Sequence, residues 1–224
     1  MNRSKIALGI IVKDDTEIDN LKRCLDSVAP YIDGIYLTAT QKPHEKLEQL
    51  AKQYGVNIDL RPGEFNYQVG KEEIKWLKKH LGYEPSLKEG DILFQFDKAR
   101  NANLDFIPDE YDWLFWLDVD DVLVNANKLK DLADNALAQD NEAVFMNYLY
   151  QAEIQDGIFP LEGFIKPREI AGTKIHNIII QHLRERLVRI RGDYRKVFKW
   201  IGHVHETLIQ QRETKKTETK DLEV

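Results

Sequence analysis

Near its start the chain alternates between short apolar runs and segments with helical spacing. Ile6–Val12 is continuously apolar, which is typical of a strand covered on both faces rather than of a signal peptide. Apolar residues then recur at helical spacing over residues 18–28, and Pro30 stops that helix. A strand at 34–40, a helix at 43–54 and a strand at 56–60 follow. This β-α-β-α-β alternation predicts an α/β fold with a doubly wound, mostly parallel sheet flanked by helices.

The pattern is less regular in the rest of the chain. It predicts helices at 71–81, 96–106 and 128–139, and strands at 113–117, 143–150 and 186–190. A loop or small insertion is expected within residues 61–95, and 156–185 shows no clear period. We therefore expect one domain over residues 1–210. Residues 211–224 have almost no apolar side chains, which predicts a polar tail that is a frayed helix or disordered.

Composition narrows the class of protein. The chain has 224 residues, 42% of them hydrophobic, which is enough to bury the core of one large domain. Its net charge of −6 argues against a general nucleic-acid binder. The lone cysteine, Cys24, cannot form an internal disulfide, and no apolar run reaches the roughly 18 residues of a membrane span. We expect a cytoplasmic protein, either free or peripheral to a membrane.

Two carboxylates follow the strongest apolar run. Asp118 and Asp120 are two residues apart at the end of Trp113–Leu117, so an extended backbone points both to the same side. Ligands of open α/β sheets bind beyond the carboxyl ends of strands. Two close like charges are costly unless a cation lies between them, and a hard divalent ion also accepts phosphate oxygens. The pattern favours a Mg²⁺ or Mn²⁺ site for a phosphorylated ligand. A solvated turn that caps the next helix is the alternative, which we favour for Asp121.

A helix with an Arg-Asn pair precedes these carboxylates. Asp97, Arg100 and Asn101 are spaced i, i+3, i+4, so they share one helical face. The fork of Arg100 suits a phosphate or a base. An internal ion pair between Asp97 and Arg100 explains the pattern equally well, and both interpretations stay open.

The last third of the chain contains a basic stretch and a His-Glu element. Residues 184–199 carry seven Lys or Arg and two acids, which could attract an anionic donor or acceptor or form a solvated face. The ligand role stays open for Arg189 and Arg195. Neutral imidazole at His203 or His205 could complete a metal shell, although histidines also cap and pack. Trp200, just before Gly202 and His203, is the more plausible acceptor-side aromatic, because the tryptophans of the strand 113–117 are expected in the core.

Five stretches together resemble the family 2 glycosyltransferases with the GT-A fold. They are Ile6–Val12 with Lys13-Asp14-Asp15 and the helix 21–28, the strand 35–38, residues 96–103 with Ala-Arg-Asn, residues 113–121 with a D-x-D motif, and Gly-His-Val-His-Glu at 202–206. The D-x-D motif alone is weak evidence. Its order and spacing after the Ala-Arg-Asn helix make the resemblance fairly specific, and the match spans about residues 5–206.

The resemblance implies a nucleotide-diphosphate sugar donor, a UDP-sugar foremost, and a divalent metal. It implies transfer with inversion at the anomeric carbon, to a glycan, lipid-linked or protein acceptor that the sequence does not identify. The nucleotide-sugar part would occupy about residues 1–125, and the acceptor part about 126–210.

The resemblance also implies roles for individual residues. Asp118 would lie near the ribose and metal, Asp120 would ligate the metal that bridges the diphosphate, and His205 would be the third ligand. The family usually has Asn-Glu or Tyr-Asn where this chain has Asp14-Asp15, which leaves the identity of the donor's nucleobase undetermined. The sequence singles out no base for the acceptor proton: Glu206, Glu185, Glu162 and Asp156 are all candidates, with Glu206 ranked first, and Asp120 is also taken as catalytic. Further residues assigned to nucleotide-sugar binding are Lys13, Asp14, Asp15, Thr40, Arg100 and Asn101.

Two other functions compete with this assignment. The run at 117–123 also resembles the phosphatase motif of the haloacid dehalogenase-like fold, in which the first Asp is a nucleophile and the second an acid/base. That motif normally begins its domain, whereas three predicted strands precede it here. A non-catalytic module that binds a nucleotide-sugar or a glycan is the third possibility, because no catalytic base stands out in the sequence.

Overall fold

The computed structural model describes residues 3–81, 86–151, 168–170, 173–175, 178–202 and 206–224. Its strands are β1 Ile6–Val12, β2 Gly34–Ala39, β3 Val56–Leu60, β4 Asn66–Gln68, β5 Ile92–Phe94, β6 Trp113–Leu117, β7 Ala143–Gln151, β8 Arg168–Ile170, β9 Thr173–Ile175, β10 Ile178–Arg189, β11 Phe198–Ile201, β12 Thr207–Gln210 and β13 Lys216–Glu223. Its α-helices are α1 Ile18–Val28, α2 Glu45–Tyr54, α3 Lys71–Leu81, α4 Phe96–Phe106 and α5 Leu129–Ala138.

A seven-stranded sheet organises the molecule, in the order β13-β7-β10-β6-β1-β2-β3. The pairs β6–β1, β1–β2 and β2–β3 are parallel, whereas β10 runs antiparallel to both β6 and β7. The pairs β4–β5, β8–β9 and β11–β12 form small antiparallel sheets. This confirms the predicted α/β class with a mostly parallel sheet, and it is consistent with a GT-A-like fold.

Helices cover both faces of the sheet. In β6, Trp113, Phe115 and Leu117 pack in a core shared with α1, α2 and α5. Leu114 and Trp116 of the same strand pack in a second core with α4 and the β11–β12 pair. Because successive side chains of a strand point to opposite faces, a continuously apolar run is what a strand between two layers requires.

Helix α4 is held against the sheet by a buried amide. The Nδ2 of Asn103 donates to the backbone oxygens of Ile10, at 3.3 Å, and Tyr36, at 3.1 Å. A Cβ at Gly9 would lie 2.5 Å from the Oδ1 of Asn103, so this close approach requires glycine in β1. The contact positions α4, and with it Arg100, over the ends of β1 and β2.

The prediction for the end of the chain is wrong. Instead of a frayed or disordered tail over 211–224, Lys216–Glu223 forms β13, which pairs parallel with β7 at the edge of the main sheet. Leu222 and Val224 are buried. An edge strand exposes many polar side chains and needs few apolar ones, so its composition resembles that of a tail.

One other strand begins well before its predicted start. The strand predicted at 186–190 is the end of the longer β10, which begins at Ile178. Within the described ranges, no helix has the length and apolar character needed to cross a bilayer.

Candidate functional site

A cleft of about 400 Å³ opens at the carboxyl ends of three neighbouring parallel strands. Lys13 follows β1, Thr40 follows β2 and Asp118 follows β6, so sheet topology brings together residues that are far apart in sequence. Lys13 and Asp120 are exposed, whereas Thr40 is buried and donates from its hydroxyl to the backbone oxygen of Val12. The lining residues are Ile11, Lys13, Glu17, Thr40, Gln41, Phe94, Phe96, Arg100, Asp118, Val119 and Asp120.

The carboxylates of the turn after β6 have different surroundings. The backbone N–H of Asp118 donates to Oδ2 of Asp121 at 2.8 Å, and the N–H of Asp121 returns to the Asp118 carbonyl at 3.1 Å. Asp121 thus closes the turn, but it is buried rather than solvated. Burial raises its pKa in spite of the nearby Arg186 guanidinium. Asp120 is left exposed at the cleft wall.

Arg100 joins Asp118 to Glu206. Its Nη2 donates to Oδ1 of Asp118, its Nε to Oε1 of Glu206 at 3.1 Å, and its Nη1 to the carbonyl of Leu117 at 3.3 Å. Burial opposes the charge of the guanidinium, but the two carboxylates hold its pKa above the ordinary value. Burial likewise opposes ionisation of Asp118, and Arg100 and then Arg186 outweigh it, so the pKa of Asp118 is lowered. The group is a charged, ion-paired cluster.

A second arginine, which the sequence analysis did not single out, lies under the same turn. Arg186 of β10 is fully buried; its Nη2 is 3.1 Å from Oδ2 of Asp121 and its Nη1 is 3.7 Å from Oδ2 of Asp118. Its guanidinium lies 4.1 Å from the ring centroid of Trp116 and 4.5 Å from that of Tyr148. Its only signal in the sequence was membership of the basic stretch. The antiparallel pairing of β10 with β6 is what brings it to the carboxylates.

The ring of Trp116 packs against the guanidiniums of this cluster. The guanidiniums of Arg100 and Arg184 lie 4.6 and 4.8 Å from its centroid, within the range of cation–π attraction. Trp113 and Trp116 are buried, as expected for core residues. The expectation that Trp200 faces a ligand is wrong, because it is 1% exposed and packs edge-on against Trp116.

The acidic pair after β1 accepts hydrogen bonds from backbone N–H groups instead. Asp14 accepts from the backbone N–H of Thr16 at 2.8 Å and from its hydroxyl, and these hydrogen bonds lower the pKa of Asp14. Asp15 accepts from the backbone N–H of Leu47 at 2.9 Å, in the first turn of α2. Neither carboxylate lines the cleft, whereas the neighbouring Lys13 does.

Asn101 has a structural contact where a nucleotide contact was expected. Its Nδ2 donates to the carbonyl of Trp200 at 2.9 Å, and its Oδ1 accepts from the N–H of Trp200 at 3.1 Å. Both ends of the amide are therefore used to fasten β11 to α4. Of the adjacent pair, Arg100 alone lines the cleft.

Besides the aliphatic Ile11 and Val119, four polar or aromatic cleft residues were missed by the sequence analysis. Glu17 accepts from the backbone N–H of Lys13 at 2.6 Å, and burial raises its pKa. Gln41 follows Thr40, and nothing in its local pattern marks it. The rings of Phe94 and Phe96 pack edge-to-face, with 4.7 Å between their centroids, and form an aromatic wall of the cleft at the end of the predicted insertion. Their sequence signal was an aromatic cluster at the start of the Arg-Asn helix.

The two basic residues left open have partners away from the cleft lining. Arg189 pairs with Asp140 at 2.8 Å, and Arg195 pairs with Asp109 at 3.1 Å. The structure therefore accounts for both without a ligand. The charge of the basic stretch acts on the site through Arg186 instead.

The donor set for a metal consists of oxygens. No group of three or more His, Cys, Asp or Glu that could hold an ion occurs among the described residues, and His203 and His205 lie outside them. Asp120 offers an exposed carboxylate, and the Asp118 side chain is 35% exposed although Arg100 binds one of its oxygens. Such oxygens fit Mg²⁺ or Mn²⁺, provided that ligand oxygens and water fill the remaining positions.

Comparison with known proteins adds a likeness of general architecture. No family model matches the chain, and no curated protein matches it in sequence. The crystal structure of TarS 1–349 from S. aureus is 11% identical with a TM-score of 0.42, over 96% of this chain and 60% of that one. The same protein in complex with UDP is 12% identical with a TM-score of 0.39, over 70% and 39%.

A different enzyme has a similar score. The 4-diphosphocytidyl-2C-methyl-D-erythritol synthase of Anaerococcus prevotii is 12% identical with a TM-score of 0.42, over 87% of this chain and 72% of that one. This chain spans 39% to 60% of the length of the two TarS chains. Likeness at this level leaves function to be argued from the site itself.

Proposed function

We propose that this protein is a metal-dependent glycosyltransferase that moves a sugar, with inversion, from a nucleotide-diphosphate sugar to a glycan, lipid-linked or protein acceptor. A UDP-sugar is the foremost donor. The observation that supports the proposal is the pairing of an exposed Asp120 with an arginine-held Asp118 at the carboxyl edge of a parallel sheet, inside a cleft of about 400 Å³. The motif resemblance over residues 5–206 supports it independently.

The cleft offers complementary groups to a nucleotide diphosphate. A Mg²⁺ or Mn²⁺ ion held by Asp120 and Asp118 would neutralise the charge that develops on the leaving diphosphate. The ammonium of Lys13 is exposed on the same wall and can contact phosphate oxygens. The ring of Phe96, 39% exposed, offers a flat apolar surface to a base or sugar.

Arg100 gives the site its fixed geometry. By binding Asp118 and Glu206 with different nitrogens, it holds two carboxylates in one fixed arrangement before any ligand enters. Inversion needs a base that takes the proton of the acceptor hydroxyl. Glu206 is our candidate: it does not itself line the cleft, but its Oε1 is 3.1 Å from Nε of Arg100, which does, and its side chain is 12% exposed.

Thermal unfolding with a panel of nucleotides tests the proposal. A ligand that binds only the folded state stabilises it by about 2.7 kcal/mol at a hundred times its dissociation constant. We expect such stabilisation from UDP with Mn²⁺ and not with chelator, and Asp120→Ala should abolish it. The control is Asp193→Ala, at a fully exposed carboxylate that does not line the cleft. Equal stabilisation in chelator would contradict the metal bridge, and no response to any nucleotide would contradict the donor site.

Turnover separates an enzyme from a binding module. Slow hydrolysis of the donor with Mn²⁺, lost in Glu206→Gln while UDP still stabilises the fold, is the result expected of the glycosyltransferase. Binding without any turnover would support the module. Hydrolysis of p-nitrophenyl phosphate abolished by Asp118→Asn would support the phosphatase, although two guanidiniums already hold the carboxylate that would have to act as nucleophile.

A further inference from the structure

Helix α3 is an amphipathic helix that buries none of its described side chains. It lies in an insertion between the paired strands β4 and β5. Every side chain from residue 71 to 80 is either exposed or half-buried. Ile74 and Leu77 are half-buried. Surface helices of globular proteins normally bury an apolar stripe against the core, and α1, α2 and α5 do so.

The exposed side of α3 combines a tryptophan with positive charge. Trp76 is 59% exposed and stacks on His80 at 4.2 Å between ring centroids. Glu73 turns back to accept from the N–H of Gly70 at 2.6 Å, which removes one acid from this side. Lys75 and Lys79 lie on the side of Trp76 at helical spacing, together with Glu72 and His80, whereas Lys71 and Lys78 lie towards the opposite side of the helix. The exposed positions of α3, in a chain of net charge −6, are Lys71, Glu72, Lys75, Trp76, Lys78, Lys79 and His80.

We propose that α3 docks this protein on an anionic lipid surface. Tryptophan is favoured at the boundary between head groups and acyl chains, and each lysine near an anionic surface adds about 1 kcal/mol of attraction. An interfacial helix needs a basic polar face, a shallow apolar insertion and no deep groove. The positive charge that complements an anionic surface is confined to this helix, because the chain as a whole has a negative net charge.

The pattern of exposure favours a lipid surface over an acidic protein. A helix that binds in a protein groove offers apolar anchors at i, i+3, i+4 and i+7. Here the apolar positions Ile74 and Leu77 are already half-buried, and the exposed side offers Trp76 among lysines. The insertion also exposes Ile92, at 59%, on β5. This surface suits shallow insertion between lipid head groups better than deep burial in a protein.

Docking at α3 would place the cleft beside the membrane. Strand β5 ends at Phe94, which lines the cleft, so the hairpin that carries α3 also contributes to the site. A lipid-linked acceptor would then reach the site from the bilayer. This consequence alone rests on the proposed function; the docking itself does not.

The tryptophans make the test specific. Trp113, Trp116 and Trp200 are at most 1% exposed, so emission that iodide can quench comes from Trp76. We expect the full chain to co-sediment with vesicles of phosphatidylcholine and phosphatidylglycerol. Trp76 emission should shift to the blue and become protected from iodide. Phosphatidylcholine vesicles should have no such effect, and high salt should reverse it.

Matched lysine pairs provide the control. Lys75→Gln/Lys79→Gln removes two exposed charges from α3, and Lys46→Gln/Lys52→Gln removes two from α2. The first should weaken partitioning on the order of tenfold, since Lys75 is partly offset by Glu72 at 2.6 Å, and the second should leave it within twofold. Trp76→Phe should keep binding but lose the spectral change, and Trp76→Ser should weaken binding.

Three results would overturn the proposal. They are no association with anionic vesicles, equal association with neutral ones, or equal losses in the α2 and α3 lysine variants. Shielding of Trp76 without vesicles, together with a concentration-dependent sedimentation coefficient, would assign the surface to a second copy of the chain instead. Nucleotide-dependent stabilisation is a separate measurement, so this proposal and the proposed function can fail independently.

Discussion

Two acidic pairs follow two neighbouring parallel strands of this protein, and they have different fates. Asp14 and Asp15 follow β1, and Asp118 and Asp120 follow β6, each after a continuously apolar run. The first pair is used by nearby backbone N–H groups, as caps. The second pair belongs to a charged cluster at the cleft. Position after a strand therefore brings an acid to the sheet edge, but its partners decide what it can do.

The partners differ in kind and in energy. A capping carboxylate satisfies N–H groups of a helix end, and its loss costs about 1 kcal/mol. Asp118 instead faces the buried guanidiniums of Arg100 and Arg186, which come from α4 and β10. Removing one member of a buried ion pair costs about 3–5 kcal/mol, because the remaining charge is left without compensation. The following variants test this contrast, from the largest expected effect to the smallest.

Arg186→Met should have the largest effect on stability. It removes the positive charge beneath Asp118 and Asp121 at similar volume, so we expect a loss of about 3–5 kcal/mol in the free energy of unfolding. Urea denaturation measures it. Arg191→Met removes an exposed arginine paired with Asp112 at 2.9 Å, and should cost under about 1 kcal/mol. A small loss in Arg186→Met would mean that the cluster does not depend on this cation.

Asp120→Asn and Asp14→Asn form a direct comparison of the two pairs. The first removes an exposed cleft carboxylate, so we expect loss of the roughly 2.7 kcal/mol by which saturating UDP and Mn²⁺ stabilise the fold. The second should keep that stabilisation, because Asp14 does not line the cleft. Thermal shift in matched buffers measures both. Loss of UDP binding in Asp14→Asn would show that Asp14 belongs to the nucleotide site after all.

Asp15→Ala should lower stability modestly and leave binding intact. Its carboxylate accepts from Lys46 at 3.1 Å and Leu47 at 2.9 Å at the start of α2, so we expect a cost of about 1 kcal/mol. Urea denaturation, with and without UDP, separates the two effects. If the midpoint is unchanged while UDP no longer stabilises the fold, then Asp15 is a ligand rather than a cap.

The pH dependence of Asp14 gives the smallest expected effect. Its hydrogen bonds to Thr16 lower its pKa in the folded state, so its contribution is fully present above the unfolded value near 3.8. That contribution should be lost as the pH falls through the lower folded value. Asp14→Asn should therefore flatten the acid side of the stability profile slightly. An unchanged slope below about pH 4 would show that the carboxylate has no net stabilising partner.

Local sequence patterns were sufficient for the framework. Periodicity alone predicted β1, β3 and β6 with their observed bounds. For β1 and β6 the reason is that strands between two helical layers are apolar on both faces, whereas β3 shows the apolar-polar alternation of a half-buried strand. The family resemblance, rather than the periodicity, assigned residues after β1, β2 and β6 to one site. The same reasoning mistook β13 for a tail, because an edge strand carries little of that apolar signal.

The sequence by itself determined the parallel core and the placement of Asp118 and Asp120 beyond it, since both follow from the period of side chains along a strand. Only the tertiary structure decided that Arg186 lies under the turn, that Glu206 shares Arg100 with Asp118, and that Asp15 caps the start of α2. Ion pairs between distant segments depend on strand order and direction, which no local period encodes. A carboxylate interacts strongly only with charged groups a few ångströms away. Its role therefore depends on which charged residues the fold places within that distance.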